Sequence, residues 1–250
     1  MKPEVIYILW LRQLKRYGRS RSRIIGSLGQ PLLFLVALGF GFGPIYQRAG
    51  GGNYLEFLAP GVIAMSILFT AMFAGIEVIW DRQFGFLKET LVAPVSRFDI
   101  MIGRTLGGAT VSMLQGLIVF GMTLLLGFRP TFSPALLGAL FFMALIGIFF
   151  TALGTAIASK LQDMQGFQLI MNFLIMPVFF LSGALFPLQG LPRALALVTK
   201  LDPLAYGVDG LRGTLIQQAH LGTRLDLLVL GGLTIIVLWI GSYLFSQIEV

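Results

Sequence analysis

The sequence predicts an all-α polytopic membrane protein, and three observations carry that reading. Of its 250 residues, 56% are hydrophobic and only 12% are charged, about half the charge of a typical soluble chain. Uncharged apolar runs recur at the ~20 residues a helix needs to cross ~30 Å of hydrocarbon. Those runs are continuous, whereas the strands of a membrane barrel would alternate apolar and polar residues over ~10 positions. One domain of six transmembrane helices follows, with an N-terminal amphipathic interfacial helix and two longer segments that do not span, one on each face.

Residues 1–23 form a basic arm in which Ile6, Trp10, Leu14 and Tyr17 recur at helical spacing, with Arg12, Lys15, Arg16 and Arg19 off that stripe. Such a helix rests in the interface with its cations near anionic headgroups. No cleavable signal is expected, because the first apolar span is too long for a signal core. Spans are expected at 24–46, 57–79, 106–126, 135–158, 167–186 and 227–245. Twelve of the 18 Lys and Arg residues fall in the arm and in the loops after the second and fourth spans, which puts both termini in the cytoplasm. The net charge of +7 therefore orients the chain and is no sign of nucleic-acid binding.

Within the spans, the fourth carries Gly147, Thr151, Thr155 and Ser159 at four-residue intervals, with Gly154 and Ala158 beside them, so another helix can approach closely. Pro177 removes a backbone hydrogen bond from the fifth and is expected to kink it. Glu77 stands out as an ionisable group in the last turn of the second, where nearby water would relieve its burial. Gln30, Gln115 and Asn172 are polar side chains suited to hydrogen bonds between helices or to substrate contact.

Residues 81–104, DRQFGFLKETLVAPVSRFDIMIGR, form a cytoplasmic loop longer than a helix connection requires. Phe84, Leu87 and Leu91 share one face of a short helix stopped by Ala93-Pro94. That face must meet either the headgroup layer or a partner groove. On the outer side, residues 187–213 mix Pro, Gly and charge with apolar runs too short to cross, the pattern of a segment that enters the bilayer and returns.

Reactive groups are scarce. The chain has no cysteine and one histidine, so His220 lacks companions for zinc ligation or for a Ser-His-Asp arrangement. The GFGFGP stretch at 39–44 lies inside a span, and no G-x-x-x-x-G-K-[ST] loop occurs, so ATP cannot be held in the P-loop manner. No catalytic residue, metal or cofactor of its own is expected. The buried acid–base relay of a proton-coupled carrier and the polar rings of a channel are also missing.

The stretches LKETLVAPVSR, LSGALFPLQGLP and LDPLAYGVDGLRG, in that order and on opposite faces, resemble the type-2 permease family of ABC transporters, the membrane subunits of bacterial drug, lipo-oligosaccharide and polysaccharide exporters. The likeness covers nearly the whole chain. It implies that 84–97 is a coupling helix, with Phe84, Phe86, Leu87, Lys88, Glu89, Leu91, Pro94 and Arg97 docking into a separate ATPase that the arm also touches. It implies that Gly183, Phe186, Pro187, Pro203, Tyr206, Asp209 and Gly210 belong to outer re-entrant helices that cap the path. Two ABC ATPase subunits would bind ATP and Mg, and a second permease copy would complete the assembly in the bacterial inner membrane. The favoured cargo is an amphiphilic drug or lipid-like molecule, because the spans hold almost no charge with which to grip an ion. Lipid-linked polysaccharide or lipo-oligosaccharide is the alternative, and a membrane-embedded lipid-modifying enzyme is disfavoured for want of clustered His, Asp or Glu. Phe69, Met72, Phe73, Asn172, Phe179 and Phe180 are candidates for the path.

Overall fold

The computed structural model describes residues 2–50, 52–92, 95–131, 134–188, 190 and 192–248, without the side chains of Lys88, Glu89 and Leu91. Every regular element among them is a helix. The arm is α1 (Pro3–Arg19). The first span comprises α2 (Arg21–Leu33), a π-helical turn over Phe34–Leu38 and α3 (Gly39–Arg48). The second comprises α4 (Tyr54–Phe73) and α5 (Ile76–Gln83), followed by the short α6 (Phe86–Val92). The third, fourth and fifth are α7 (Arg97–Leu125), α8 (Ala135–Lys160) and α9 (Met164–Leu181). Two shorter helices, α10 (Arg193–Leu201) and α11 (Pro203–Leu215), precede the sixth span, α12 (Thr223–Ser246). Among the described residues, six helical stretches are long and apolar enough to cross a membrane. The end carrying α1 and α6 is called the arm face below, and the end carrying α10 and α11 the far face.

Helix limits follow local chemistry more than hydropathy. Helix α7 starts at Arg97, well before its apolar stretch, because the Ser96 hydroxyl caps it by accepting from the N–H of Asp99 at 3.0 Å. Helix α9 runs unbroken through Pro177 and stops at Leu181, and Gly183 then turns the chain at φ 73°. In the first span, Pro31 cannot donate to the ladder, and the helix loosens into its π turn three residues later.

The second span is the centre of the molecule. Its most apolar stretch is 72% buried, against 22% for the fifth and 17% for the first and sixth. Helix α4 packs against α7, α8 and α11 at once. Where the second span breaks at Ala74-Gly75, it crosses the small-residue stripe of α8 with backbones in contact. A Cβ on Gly75 would lie 2.3 Å from the carbonyl oxygen of Gly154, and one on Gly154 would lie 2.4 Å from that of Met72.

That crossing leaves no room for a side chain. Gly154→Val is expected to cost more than the ~1–3 kcal/mol of ordinary overpacking, because main chain yields less than side chain. Thermal unfolding in detergent measures it, with Gly41→Val, where nothing lies within 4 Å, as the lenient control.

Candidate functional site

On the arm face, α1 lies across α7, whose Gly103 and Gly107 leave room for Leu9 and Gln13. Trp10 Nε1 donates to the Thr110 hydroxyl at 3.0 Å, and the Tyr17 hydroxyl donates to Gln115 Oε1 at 2.7 Å. Two acids at the end of the second span collect the cations. Asp81 accepts from Arg12 at 2.6 Å and from Arg104, a pair buried on both sides. Glu77 faces Arg23 at 3.4 Å and Arg16 at 3.7 Å. Glu77 is thus met by two guanidiniums, partners that the sequence did not assign to it. Arg12 and Arg16 hold the second span as well as facing outward. Arg82 caps the C-terminus of α8, donating to the carbonyls of Ser159 at 2.8 Å and Leu161 at 2.7 Å.

Gly85, at φ 80°, ends α5 and redirects the chain into α6. This break separates residues that the sequence placed on one face. Phe84 and Phe86 are 62% and 52% exposed, whereas Leu87 is 1% exposed and belongs to the chain's own core. Arg97 opens α7. Pro94 lies outside the described residues, as do the side chains of Lys88, Glu89 and Leu91. Between α1 and the end of α5 runs a groove of about 580 Å³, with Arg12, Lys15, Arg16 and Arg19 on one wall and Trp80, Phe84 and Phe86 on the other.

On the far face, α11 is buried against α4, α8 and α12. Pro203 opens it, the Tyr206 hydroxyl donates to the Lys200 carbonyl at 2.8 Å, and Gly210 lies so close under Phe142 that a Cβ would come within 2.2 Å of the ring. The Asp209 carboxylate accepts from the N–H groups of His220 at 2.8 Å and Leu221 at 2.6 Å, which pins the entry to α12. Asp202 caps α11 by accepting from the N–H of Leu204 at 2.9 Å, and burial pushes its carboxyl up to about 7.

Arg212 was not singled out by the sequence, yet it locks this face. Its Nη2 donates to the carbonyls of Gly183 at 2.7 Å, Ala184 at 3.3 Å and Phe57 at 3.3 Å, and its guanidinium lies 3.8 Å from the Phe57 ring centre. Burial lowers its pKa to about 10, which still leaves it charged at neutral pH. Tyr54 adds a hydrogen bond to the Leu185 carbonyl at 2.9 Å. The available signal was a cation one helical turn after Asp209 in an otherwise apolar helix. Pro187 joins Tyr46, Phe57, Asp209 and Arg212 around a cavity of about 320 Å³, while Phe186 sits at the surface, 36% exposed.

The six path candidates do not form one wall. Phe69 and Phe73 line a third cavity, of about 230 Å³, between α2 and α4. Met72 and Phe179 are core residues, and Asn172 and Phe180 lie on the exposed side of α9.

Arg212→Ala is expected to cost ~1–3 kcal/mol, the penalty for leaving buried carbonyls without a donor. Arg212→Lys, which keeps charge but loses the planar fork, should fall between; chemical unfolding of the detergent-solubilised chain orders the three. Asp202 gives a pH signature. Its folded pKa of about 7 exceeds the ~3.9 of an unfolded Asp, so the folded state binds the extra proton between these values. Stability should fall as pH rises through that window and level off above it, and Asp202→Asn should flatten the slope in melting temperature against pH.

A family model described as ABC-2 type transporter matches residues 4–216, from the arm through α11. The chain is 32% identical over 213 residues to Nodulation protein J of Rhizobium leguminosarum bv. viciae, which spans 84% of this chain and 82% of that protein. It is 31% identical over 225 residues to Nodulation protein J of Rhizobium meliloti (strain 1021), spanning 88% and 85%. It is 28% identical over 214 residues to Putative transport permease ycf38 of Cyanophora paradoxa, spanning 83% and 72%. With its helical architecture and six membrane-length stretches, the chain belongs to the ABC-2 type transporter family as a multi-pass transport permease.

Proposed function

We propose that this chain is the permease of an ATP-driven exporter in the bacterial inner membrane, with both termini in the cytoplasm and two ABC ATPase subunits on its arm face. The groove beside α6 carries this reading: Phe84 and Phe86 stand out from a surface ringed by Arg12, Lys15, Arg16 and Arg19, which suits capture by a partner protein rather than burial in this chain. Phe84 and Phe86 would make the contact, with Lys88, Glu89, Leu91, Pro94 and Arg97 completing the docking segment, while Leu87 anchors α6 from within. The ATPases would bind the ATP and Mg, since this sequence has no phosphate-binding loop.

A push on α6 reaches α5 directly. From there, Asp81 and Glu77 carry it to the arm and the first span through Arg12, Arg16 and Arg23, with the Gly75–Gly154 crossing as the pivot. Closure of the ATPase pair would thereby shift the population between inward-open and outward-open arrangements. A second copy of the chain would cover apolar side chains that the first and fifth spans leave bare, such as Leu33, Phe40, Leu169 and Phe173. The cargo is an amphiphile, drug-like or lipid-like. A lipid-linked polysaccharide or lipo-oligosaccharide is the second reading, supported by the hydrogen-bonding Ser27, Gln30 and Thr70 beside Phe69 in the cavity of the second span.

Joint replacement Phe84→Ser and Phe86→Ser is expected to lower cargo-stimulated ATP hydrolysis by the reconstituted complex about tenfold or more, the scale of losing aromatic anchors, with membrane insertion unchanged. Unaltered hydrolysis would reject the docking assignment, and cargo movement by this chain in vesicles without the ATPase would reject the reading as a whole.

A further inference from the structure

The cavity between α2 and α4 sets a cation against an apolar wall. Its volume of about 230 Å³ is bounded by Arg23, Ser27 and Gln30 of the first span and by Ser66, Phe69 and Phe73 of the second. The end nearest the arm is cationic, because the Arg16 and Arg23 guanidiniums share a single carboxylate, Glu77, at 3.7 and 3.4 Å. One positive charge is thus left over in a partly desolvated place, where an anion is held more strongly than in water. The hydroxyls of Ser27 and Ser66 give their protons to the carbonyls of Ile24 at 2.9 Å and Ile63 at 2.8 Å. Their remaining lone pairs can only accept, which suits ligand hydroxyl groups. The wall facing them is apolar: Phe73, four residues before Glu77 and so at the same end, meets Phe167 of the fifth span edge-on at 6.4 Å between ring centres, and Phe69 follows one turn deeper.

The volume also limits the occupant. It is below the ~300–1,000 Å³ of pockets that enclose a whole drug-sized ligand, so only a head and the start of a chain fit inside. We infer that this cavity binds the anionic, hydroxyl-bearing head of an acyl amphiphile, with its negative group at Arg23 and its chain leading deeper past Phe73 and then Phe69. The inference rests on the reading of the chain as a permease for amphiphiles and names the head it selects. Such a head reaches the cavity either on a bilayer lipid or on the exported molecule.

The protein has no cysteine, so Ser27→Cys creates one thiol at the cavity and Leu169→Cys creates a control on the exposed side of α9. Each full-length variant is placed in phosphatidylcholine nanodiscs, and its rate of modification by N-ethylmaleimide is measured alone, with lysophosphatidic acid, with phosphatidylglycerol in the disc, and with lysophosphatidylcholine. The expected result is at least roughly threefold slower labelling at position 27 with an anionic amphiphile, by simple occupancy, and no change at position 169. Protection by phosphatidylglycerol identifies a bilayer lipid as the source, and protection by lysophosphatidic acid alone identifies a single-chain ligand; both support the site. Arg23→Gln should raise the half-protecting concentration about tenfold, as for loss of a charge-assisted contact, and Arg23→Lys should restore it. Equal protection by lysophosphatidylcholine, or protection indifferent to Arg23→Gln, overturns the inference. No ATPase or nucleotide is present, so failure here leaves the docking assignment standing, and failure of docking leaves this site standing.

Discussion

A carboxylate buried at the end of a membrane helix is costly unless cations come to meet it, and the arm face is arranged around two such groups. Glu77 and Asp81 lie four residues apart and therefore on one face of α5. Arg12 and Arg16 come to them from the arm, Arg23 from the first span and Arg104 from the third. Three separate elements are thereby fixed to one short helix. The arm, which its amphipathic pattern alone would leave free to drift in a headgroup layer, is laid across the glycine bed of α7.

Beyond that clasp, the molecule divides by how tightly its helices are held. Helices α4, α7, α8, α11 and α12 share most of the interhelical packing, and the first and fifth spans touch the rest along narrower strips. Local opening costs least where few buried apolar contacts must be given up. The two peripheral spans therefore give up the least packing if they shift, one of them tied to the ion-paired arm and the other to α10 and α11 at the far face.

The six crossings were legible because a continuous apolar run has few alternatives in a chain of this composition, and the arm because its stripe follows a helical period. The stripe of Gly147, Thr151, Thr155 and Ser159 announced a close neighbour, but only the three-dimensional packing shows that its partner is the break at Ala74-Gly75. Leu87 and Phe84 were placed together because one helix was assumed to run through Gly85, whose positive φ depends on how α5 ends. Arg212 escaped notice for a different reason: its partners are main-chain carbonyls, which leave no residue-type signature. The partners of Glu77 went unseen because Arg23 and Arg16 lie 54 and 61 positions away along the chain.

The same property of Arg212 bears on how this architecture can diversify. A clamp that grips carbonyl oxygens reads the course of the backbone, not the identity of the side chains mounted on it. Exposed side chains between Gly183 and Arg212, such as Phe186, Leu197 and Leu201, can be exchanged while the fastening beneath them stays shut, provided the main chain keeps its path. Evolution can thus redecorate that surface without re-engineering the hasp that holds it.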